Sequence, residues 1–449
     1  MMATVVFFVR MALCLAHPFR RAKVAVTNRK SIQMKKISIV ISVILFRGLV
    51  VHAQKITGLN EIIQTISVDN PASKVFDAQI RSYDEAAKGA RSWMPAEFGT
   101  GLWMTPYNPK LWKKGDNVTT GMGQYMLSAQ QMFPNKRKQD AEEAYLKGMS
   151  ASDKERVKFE LNQLYAEAKR NYYEWIILKK KLTVLNENEK LLSFMIKDAE
   201  IRYKNGLDKL SAYYKVKAEL GNIINNRIGF ENEITQKRIR LNTLMNRVKS
   251  EPFDIDTAYR IADFAAGDID TNNLVNRSDI KAIDRDIQLS RLQQNMERAK
   301  VKPEFGLRYD HMFGFGGFPM QYTLMAMAKV PIGRANRASR ANVESLKWKV
   351  EALALQKKVV LNEASGMALA LTTDIKAKYK QVILFEENII PALRKNYQVM
   401  LLGYQQNTEQ LFTLFDSWNT LHKTMIEYLD LLQQLFVMRV EADRISEIK

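Results

Sequence analysis

The sequence predicts an α+β membrane protein in which very long helices carry two pairs of short strands. Two stretches of about 70 residues read as continuous helix, namely Asn135 to Arg202 and Arg334 to Leu402. Helices of this length cannot fold back into one globular core and indicate a coiled coil or a long bundle. Two pairs of short windows alternate apolar and polar residues, as strands between two different environments do. The same order of elements occurs twice along the chain.

The first 53 residues have the features of a targeting segment. Lys35 and Lys36 follow Met34, an apolar run extends from Ile37 to Val51, and a small-x-small site ends at Ala53. This order is typical of a secretory signal peptide, and the run is shorter than the roughly 20 residues of a spanning helix. We expect residues 1–33 to be an upstream extension, with the true start at Met34 and cleavage near Ala53.

Composition excludes several kinds of site. The only cysteine, Cys14, lies in the targeting segment, so the mature chain has no disulfide, cysteine metal site or lipid attachment point. Only His311 and His422 remain of the histidines, too few for a catalytic triad or a histidine-rich zinc site. We therefore predict no enzyme activity, no catalytic residue, no cofactor and no bound metal. Residues 1–53 carry nine Lys or Arg and no acid, so their removal lowers the formal charge from +20 to +11. That charge forms no dense basic patch of the kind nucleic acid requires.

The first half, residues 54–250, contains helices and one pair of strands. Helices are expected at about 59–91, 135–202 and 207–248, and strands at about 95–107 and 118–133. Aromatic residues crowd the strand ends, as in the girdles of membrane strands. They are Trp93, Trp103, Tyr107, Trp112 and Phe133.

Residues 251–273 form an acidic, irregular connection between the halves. The run from Asp268 to Asn273 resembles the start of a calcium loop, but its sixth position is Asn273 where glycine is required. Its twelfth position, Asp279, is not glutamate, so loop polarity and helix capping explain the run better.

The second half, residues 274–449, repeats the order of the first. Helices are expected at 278–300, 334–402 and 410–445, and strands at 304–313 and 321–330. One face of the first of these strands is apolar, with Phe305, Leu307, Tyr309 and Phe313. The other face carries Glu304, Arg308 and Asp310.

Local motifs match between the halves at similar offsets. Glu97-Phe98-Gly99 corresponds to Glu304-Phe305-Gly306, Pro134 to Pro331, and Tyr203 to Tyr404. Three matches in the same order indicate an internal duplication.

The chain resembles the TolC family of outer-membrane efflux channels over essentially all of its mature length. The resemblance rests on Asn70-Pro71 in the first helix, Ser278-Asp279-Ile280 at the start of the second half, and Arg202-Tyr203-Lys204-Asn205-Gly206 at a helical tip. Ser278 stands where the family usually has proline, and we expect it to cap the helix. At the second tip Asn407 replaces the glycine, and asparagine is the next-best residue for a left-handed turn.

The resemblance implies a passive duct that carries substrates out of the cell. Each chain of a homotrimer would give four strands to a twelve-stranded barrel in outer-membrane lipid, continued by a helical coiled-coil barrel in the periplasm. Four strands alone would leave an open edge in lipid, which is costly. The implied partners are a periplasmic adaptor (membrane fusion) protein and an inner-membrane pump.

The resemblance also implies roles for residues at the helical tips. A periplasmic gate would include Tyr404, Glu409 and Asp416, with Asp416 repeated around a three-fold axis; an ordinary solvated surface position is the alternative for Asp416. Glu409 departs from the residue usual at its position. Contact with the adaptor would involve Tyr203, Asn205, Gly206, Leu207 and Asn407.

Methionine is plentiful, at 21 residues. Six occur at strand positions that we assign to the channel interior: Met122, Met126, Met132, Met312, Met325 and Met327. Thioethers bind soft ions such as Cu(I), so these residues raise the hypothesis of copper or silver export, although a passive duct rarely needs ligands at its exit. The alternative is that methionine fills irregular packing.

A periplasmic adaptor or a soluble coiled-coil scaffold would also have long helices. An adaptor needs a lipoyl-like β domain between its halves, which the sequence lacks. A scaffold leaves the four alternating strands unexplained. Which substrate is exported, and through which pump, does not follow from the sequence.

Overall fold

The structure is a computed structural model that describes residues 56–116, 120–206, 209–265, 267 and 269–448. The targeting segment of residues 1–53 lies outside this part of the chain. The first half contains β1 (Ile56–Thr57), α1 (Leu59–Asp69), α2 (Pro71–Gly89), β2 (Glu97–Trp103), β3 (Gln124–Phe133), α3 (Lys136–Lys204) and α4 (Leu210–Leu244). The second contains β4 (Asp254–Ile255), α5 (Ser278–Lys300), β5 (Glu304–Gly314), β6 (Gln321–Lys329), α6 (Arg337–Leu384), α7 (Ile390–Gln405) and α8 (Leu411–Ser446).

Helix dominates and one four-stranded sheet accompanies it, as the sequence predicts. None of the helices in the described ranges is both long and apolar enough to cross a membrane. The two-residue strands β1 and β4 pair in parallel and were not predicted, because runs this short carry no periodic signal.

Helix α3 is the longest element and runs unbroken for 69 residues. At 1.5 Å per residue it is about 100 Å long. The Asn135 side chain caps its first turn by accepting a hydrogen bond from the backbone N–H of Arg137 at 2.9 Å. Two buried lysines on α3 reach carboxylates on α8, Lys169 to Asp443 at 2.9 Å and Lys181 to Asp430 at 2.5 Å. Because the two ion pairs lie at different points along the helices, they fix the position of α8 along the axis of α3.

The second long helix starts later than predicted and is locally widened. It begins at Arg337 and contains a π-helical turn at Phe385–Ile389 between α6 and α7. Pro391 follows directly and has no N–H to donate, and its ring crowds the carbonyl four residues earlier. A wider turn accommodates this defect without ending the helix.

The first predicted helix is divided at Asn70. The side chain of Asn70 accepts from the backbone N–H of Ala72 at 2.9 Å, and Pro71 starts α2. The same side chain donates to the carbonyl of Leu244 at 2.8 Å. Asn70 therefore caps α2 and ties it to the end of α4.

The expectation that Ser278 caps α5 was wrong. Ser278 is the first residue of the helix, and its backbone N–H and hydroxyl donate to the carboxylate of Glu447 at 2.8 and 2.7 Å. A residue near the C-terminal end of the chain thus accepts the hydrogen bond from the first backbone N–H of α5. Glu447 itself lies in the left-handed region, with φ of 53°.

The sheet is antiparallel, in the order β2-β3-β5-β6. Strands β2 and β3 are shorter than predicted because Met104 and Gly123, which flank the connection between them, have φ of 47° and 98°. Among the described residues β2 and β6 pair on one side only, so both edges of the sheet are open.

Apolar packing is spread along α3 and is not gathered in one core. One cluster joins Ile62, Trp175 and Leu241, and the next joins Ile177, Val382 and Phe436. A third lies near the helical tips and includes Leu192, Val216, Tyr404 and Trp418. Each segment of α3 therefore buries its own stripe against different partners.

Candidate functional site

Tyr404, predicted to belong to a gate, is buried at the tip between α7 and α3. Its hydroxyl donates a hydrogen bond to the carboxylate of Asp198. The guanidinium of Arg202 lies over its ring, 4.1 Å from the centroid, and also binds Asp198 at 3.1 Å. Burial and the charged acceptor make this a strong contact between the last turns of the two long helices.

Arg202 connects this cluster to the turn that follows α7. It donates to the side chain of Asn407 at 2.9 Å and to the carbonyl of Tyr404 at 3.3 Å. We call Asp198, Arg202, Tyr404 and Asn407 the tip latch. The sequence prediction missed Asp198 and the role of Arg202. Their spacing of four residues on one helix was the available signal.

The two tips share one turn geometry. The N–H of Gly206 donates to the carbonyl of Tyr203 at 3.0 Å, and the N–H of Asn407 donates to the carbonyl of Tyr404 at 3.1 Å. Gly206 and Asn407 have φ of 72° and 59°, which confirms the left-handed position expected at Asn407.

The remaining tip residues differ in exposure. Tyr203 is exposed, and the Asn205 side chain donates to the carbonyl of Ile201 at 3.0 Å. Leu207 lies outside the described residues. At the first tip the predicted adaptor contacts therefore combine an exposed ring with a constrained turn.

Glu409 and Asp416 do not join the tip latch. Glu409 is half-buried, and its backbone N–H donates to the carbonyl of Gly403 at 3.2 Å. Asp416 is exposed on α8, between the buried Phe415 and Ser417. The structure thus brings Tyr404 and Asn407 together and leaves Asp416 on a free surface of the single chain.

The sheet has two chemically different faces, because residues directly opposite on neighbouring strands point to the same side. On one side the aligned residues are mostly apolar and many are exposed; Phe98 and Leu324 are 81% and 66% exposed. On the other side Glu304 and Asp310 are only 6% and 3% exposed. On the central strands β3 and β5 the polar face is therefore the more buried one even in a single chain, whereas on the edge strands β2 and β6 it is largely exposed.

Ion pairs account for the buried charges of the polar face. Arg308 binds Asp310 at 2.9 Å, and Lys138 from the start of α3 binds Glu304 at 2.8 Å. The second contact joins the sheet to the helices. A charged face therefore continues from strand to helix.

Five of the six predicted interior methionines share this polar face. Met126 lies directly opposite Met312, and Met132 and Met327 lie on either side of Gly306. A Cβ built on Gly306 would be 2.3 Å from the sulfur of Met132, so the thioether rests over that glycine. Met325 lies on the same face, opposite Arg308, and Met122 precedes β3 in the connection.

The loops at the far end of the sheet interlock. Trp112 stacks on Phe315 with centroids 5.3 Å apart, and the N–H of Gly121 donates to the carbonyl of Gly316 at 2.9 Å. The N–H of Phe315 donates to the carbonyl of Gly123 at 3.0 Å. The hairpin connections of the two halves therefore form one unit.

Within the described ranges no group of three or more His, Cys, Asp or Glu side chains could hold a metal ion. Asp268, the first residue of the calcium-like run, lies outside them. On the polar face of the sheet, thioethers lie among the ion-paired residues already described.

Comparison with protein families and with curated proteins found no match. Solved structures do match over most of the chain. They include the outer-membrane channel OprN, at 14% identity and a TM-score of 0.69, covering 86% of this chain and 89% of that one. The outer membrane protein VceC of Vibrio cholerae matches at 15% identity and 0.66, covering 86% and 95%. The CmeC outer membrane channel of Campylobacter jejuni matches at 11% and 0.68, covering 86% and 85%. At these identities the likeness establishes the fold.

Proposed function

Because this chain has the fold of outer-membrane channels, we propose that it is the outer-membrane duct of an efflux system and a member of the TolC family. The observation that carries the proposal is the sheet, which has one mostly apolar, exposed face and one polar face with buried ion pairs on its central strands, and which is continuous with helices about 100 Å long. An apolar outer face suits lipid, and a polar inner face suits a water-filled channel. The helices would extend into the periplasm.

The open edges of the sheet support assembly into a trimer. Backbone groups left unpaired in lipid cost several kcal/mol each, so β2 and β6 need partners from other copies. Three copies would supply twelve strands, the number that the resemblance implies. The exposed apolar face would then surround the barrel.

The tip latch would hold the periplasmic end closed. Tyr404 and Arg202 join α7 to α3 in a single chain, so separating them would let the tips move outward. Three copies of the exposed Asp416 carboxylate would form a ring able to hold cations on the axis. Glu409 would lie beside the latch.

The duct would be passive, with no catalytic residue, and would depend on two partners. An adaptor protein would contact the tips at Tyr203, Asn205, Gly206, Leu207 and Asn407, and an inner-membrane pump would supply energy. A periplasmic adaptor or scaffold role for this chain itself remains the alternative. Neither an adaptor nor a scaffold role explains why the sheet exposes an apolar face.

The test is the assembly state in the cell envelope. Detergent extracts of outer membrane should contain trimers that dissociate only on heating, and purified trimers should conduct ions in planar bilayers. A soluble periplasmic monomer would overturn the proposal in favour of the adaptor or scaffold.

A second candidate is export of copper or silver. The observation that favours it is the alignment of five methionines on the polar face, because soft thioethers bind Cu(I) and Ag(I). A deletion strain should lose copper or silver tolerance. Unchanged tolerance would leave packing as the explanation for these side chains.

A further inference from the structure

A buried histidine joins α3 to α8 at a point farther from the helical tips than the tip latch. His422 on α8 is 6% exposed, and its Nδ1 lies 2.9 Å from the side-chain nitrogen of Asn188 on α3. Trp418, one turn earlier on α8, stacks on the imidazole with centroids 5.4 Å apart and planes 9° from parallel. The contact is thus both polar and closely packed.

The orientation of the Asn188 amide is fixed from two sides. Its oxygen accepts from the indole N–H of Trp418 at 2.5 Å, and its nitrogen donates to the carbonyl of Val184 at 2.6 Å. Indole nitrogen can only donate, so the amide cannot rotate by 180° without losing both bonds. Asn188 therefore presents N–H to the imidazole, and Nδ1 of His422 must accept. A proton on Nδ1 would place two donors against each other.

This contact lies beside the discontinuity in the second long helix. Thr183, Val184 and Glu187 of α3 line one side of a cavity of about 450 Å³, and Glu386, Ile390 and Pro391 line the other. The cavity adjoins the π-helical turn, below which α7 runs to Tyr404. The asparagine contact is therefore placed where the helix that carries the tip latch is least regular.

We propose that Asn188, Trp418 and His422 form a proton-sensitive lock, and that protonation of His422 loosens α8 from α3 and frees the tip. The lock goes beyond the proposed function, and only its consequence, a wider periplasmic opening, rests on that function.

The charges around the imidazole come from few elements. Glu219 on α4 favours the protonated ring, and Lys423 on α8 disfavours it. Helix α3 contributes the neutral Asn188, and α7 contributes Tyr397 and Met400 to the apolar cluster around Trp418. Burial raises the pKa of Tyr397, so it stays neutral.

The direction of the pH effect follows from burial. Burial lowers the pKa of His422 below its ordinary value of 6.5. As the pH falls through that value the unfolded chain takes up a proton and the closed lock does not. Stabilisation by the lock is therefore complete above about pH 6.5 and is lost progressively below it.

Hydrogen exchange of the full chain in detergent tests the lock at pH 7.5 and 5.0. After correction for intrinsic rates, amides of residues 188–206 and 390–407 should exchange at least threefold faster at pH 5.0 in the unmodified chain. His422→Gln should abolish this difference, because its amide oxygen accepts from Asn188 and does not titrate. His311→Gln removes the other histidine of the mature chain and should leave the difference unchanged.

Asn188→Asp provides a second test that keeps both helices joined. Its carboxylate can accept from Trp418 and from a protonated imidazole, while the bond from the side chain to the Val184 carbonyl is lost at both pH values. Acid should therefore no longer speed exchange and should slow it. Acceleration of exchange by acid that persists in His422→Gln or Asn188→Asp, or that is absent from the unmodified chain, would overturn the proposal. Because exchange is measured at the helices and not through transport, this result is independent of whether the chain is an efflux duct.

Discussion

The hydroxyl of Tyr404 donates a hydrogen bond to the carboxylate of Asp198, 206 residues earlier in the chain. The two residues lie near the ends of α7 and α3, and Arg202 contacts both of them. Side-chain contacts thus hold the end of α7 against the end of α3, in addition to the backbone hydrogen bonds of the turn that follows each helix.

Tyr404→Phe should favour an open tip. The variant keeps the ring under Arg202 and removes only the hydrogen bond to a charged acceptor, which contributes about 1.5–3 kcal/mol. We expect the open fraction in single-channel recordings to rise roughly tenfold or more, since 1.4 kcal/mol corresponds to a factor of ten. Tyr203→Phe, at the equivalent and exposed position, should leave it unchanged. Equal effects of the two variants would count against the latch.

Gly206→Ala should destabilise the first tip. With φ of 72°, Gly206 adopts a conformation that costs an alanine about 1–2 kcal/mol. Gly221→Ala in α4 is the matched control, because that glycine is inside a helix and has open space around its Cα. The control should stabilise by up to about 1 kcal/mol. Thermal unfolding and exchange at the tip would measure both. A G206A protein as stable as the parent would disprove the turn assignment.

Glu447→Ala should weaken the start of α5. Alanine carries the same left-handed backbone strain as the glutamate it replaces, so the variant isolates the loss of the two hydrogen bonds to Ser278. Loss of a helix cap costs about 0.5–2 kcal/mol, and the midpoint of chemical unfolding should fall accordingly. Glu447→Gln retains an acceptor for the backbone N–H and should lose less. A larger loss in E447Q than in E447A would contradict this account.

Gly306→Ala should disturb the pairing of β3 with β5. The added Cβ would meet the sulfur of Met132 at 2.3 Å and the backbone oxygen of Gln131 at 2.8 Å. The flexible methionine can move, whereas the backbone oxygen cannot move without shifting the strand. We expect a several-fold lower yield of trimers that dissociate only on heating. Gly101→Ala, on the same face with no atom within 4 Å of its Cβ, should assemble normally. Equal yields would show that β5 has room to adjust.

Patterns that depend on neighbours in sequence predicted most of the elements. The helical period over about 70 residues indicated α3, and strict alternation between Glu304 and Phe313 indicated β5. The preference of asparagine for a left-handed position predicted the turn at Asn407, which has φ of 59°. In each case the determining interactions lie within one or two turns of the residue concerned.

Features that join distant segments were not predictable in this way. Ser278 was expected to cap α5, but Glu447 satisfies the helix start from 169 residues away. Tyr404 was named as a gate residue, yet its partner Asp198 became evident only once α3 and α7 lay side by side. The sequence likewise showed where Pro391 interrupts the helical pattern, but it did not show that a π-helical turn before the proline keeps the helix continuous.

The sequence by itself determined the positions of the long helices, the alternation of the strands and the turn residues at both tips, because local backbone preference and periodic burial fix these. The tertiary structure decided which charges are buried in pairs, which methionines face one another and which tautomer His422 must adopt. Those properties depend on the environment that folding creates around each side chain. Low dielectric surroundings and fixed partners then determine whether a proton or a charge is stable there.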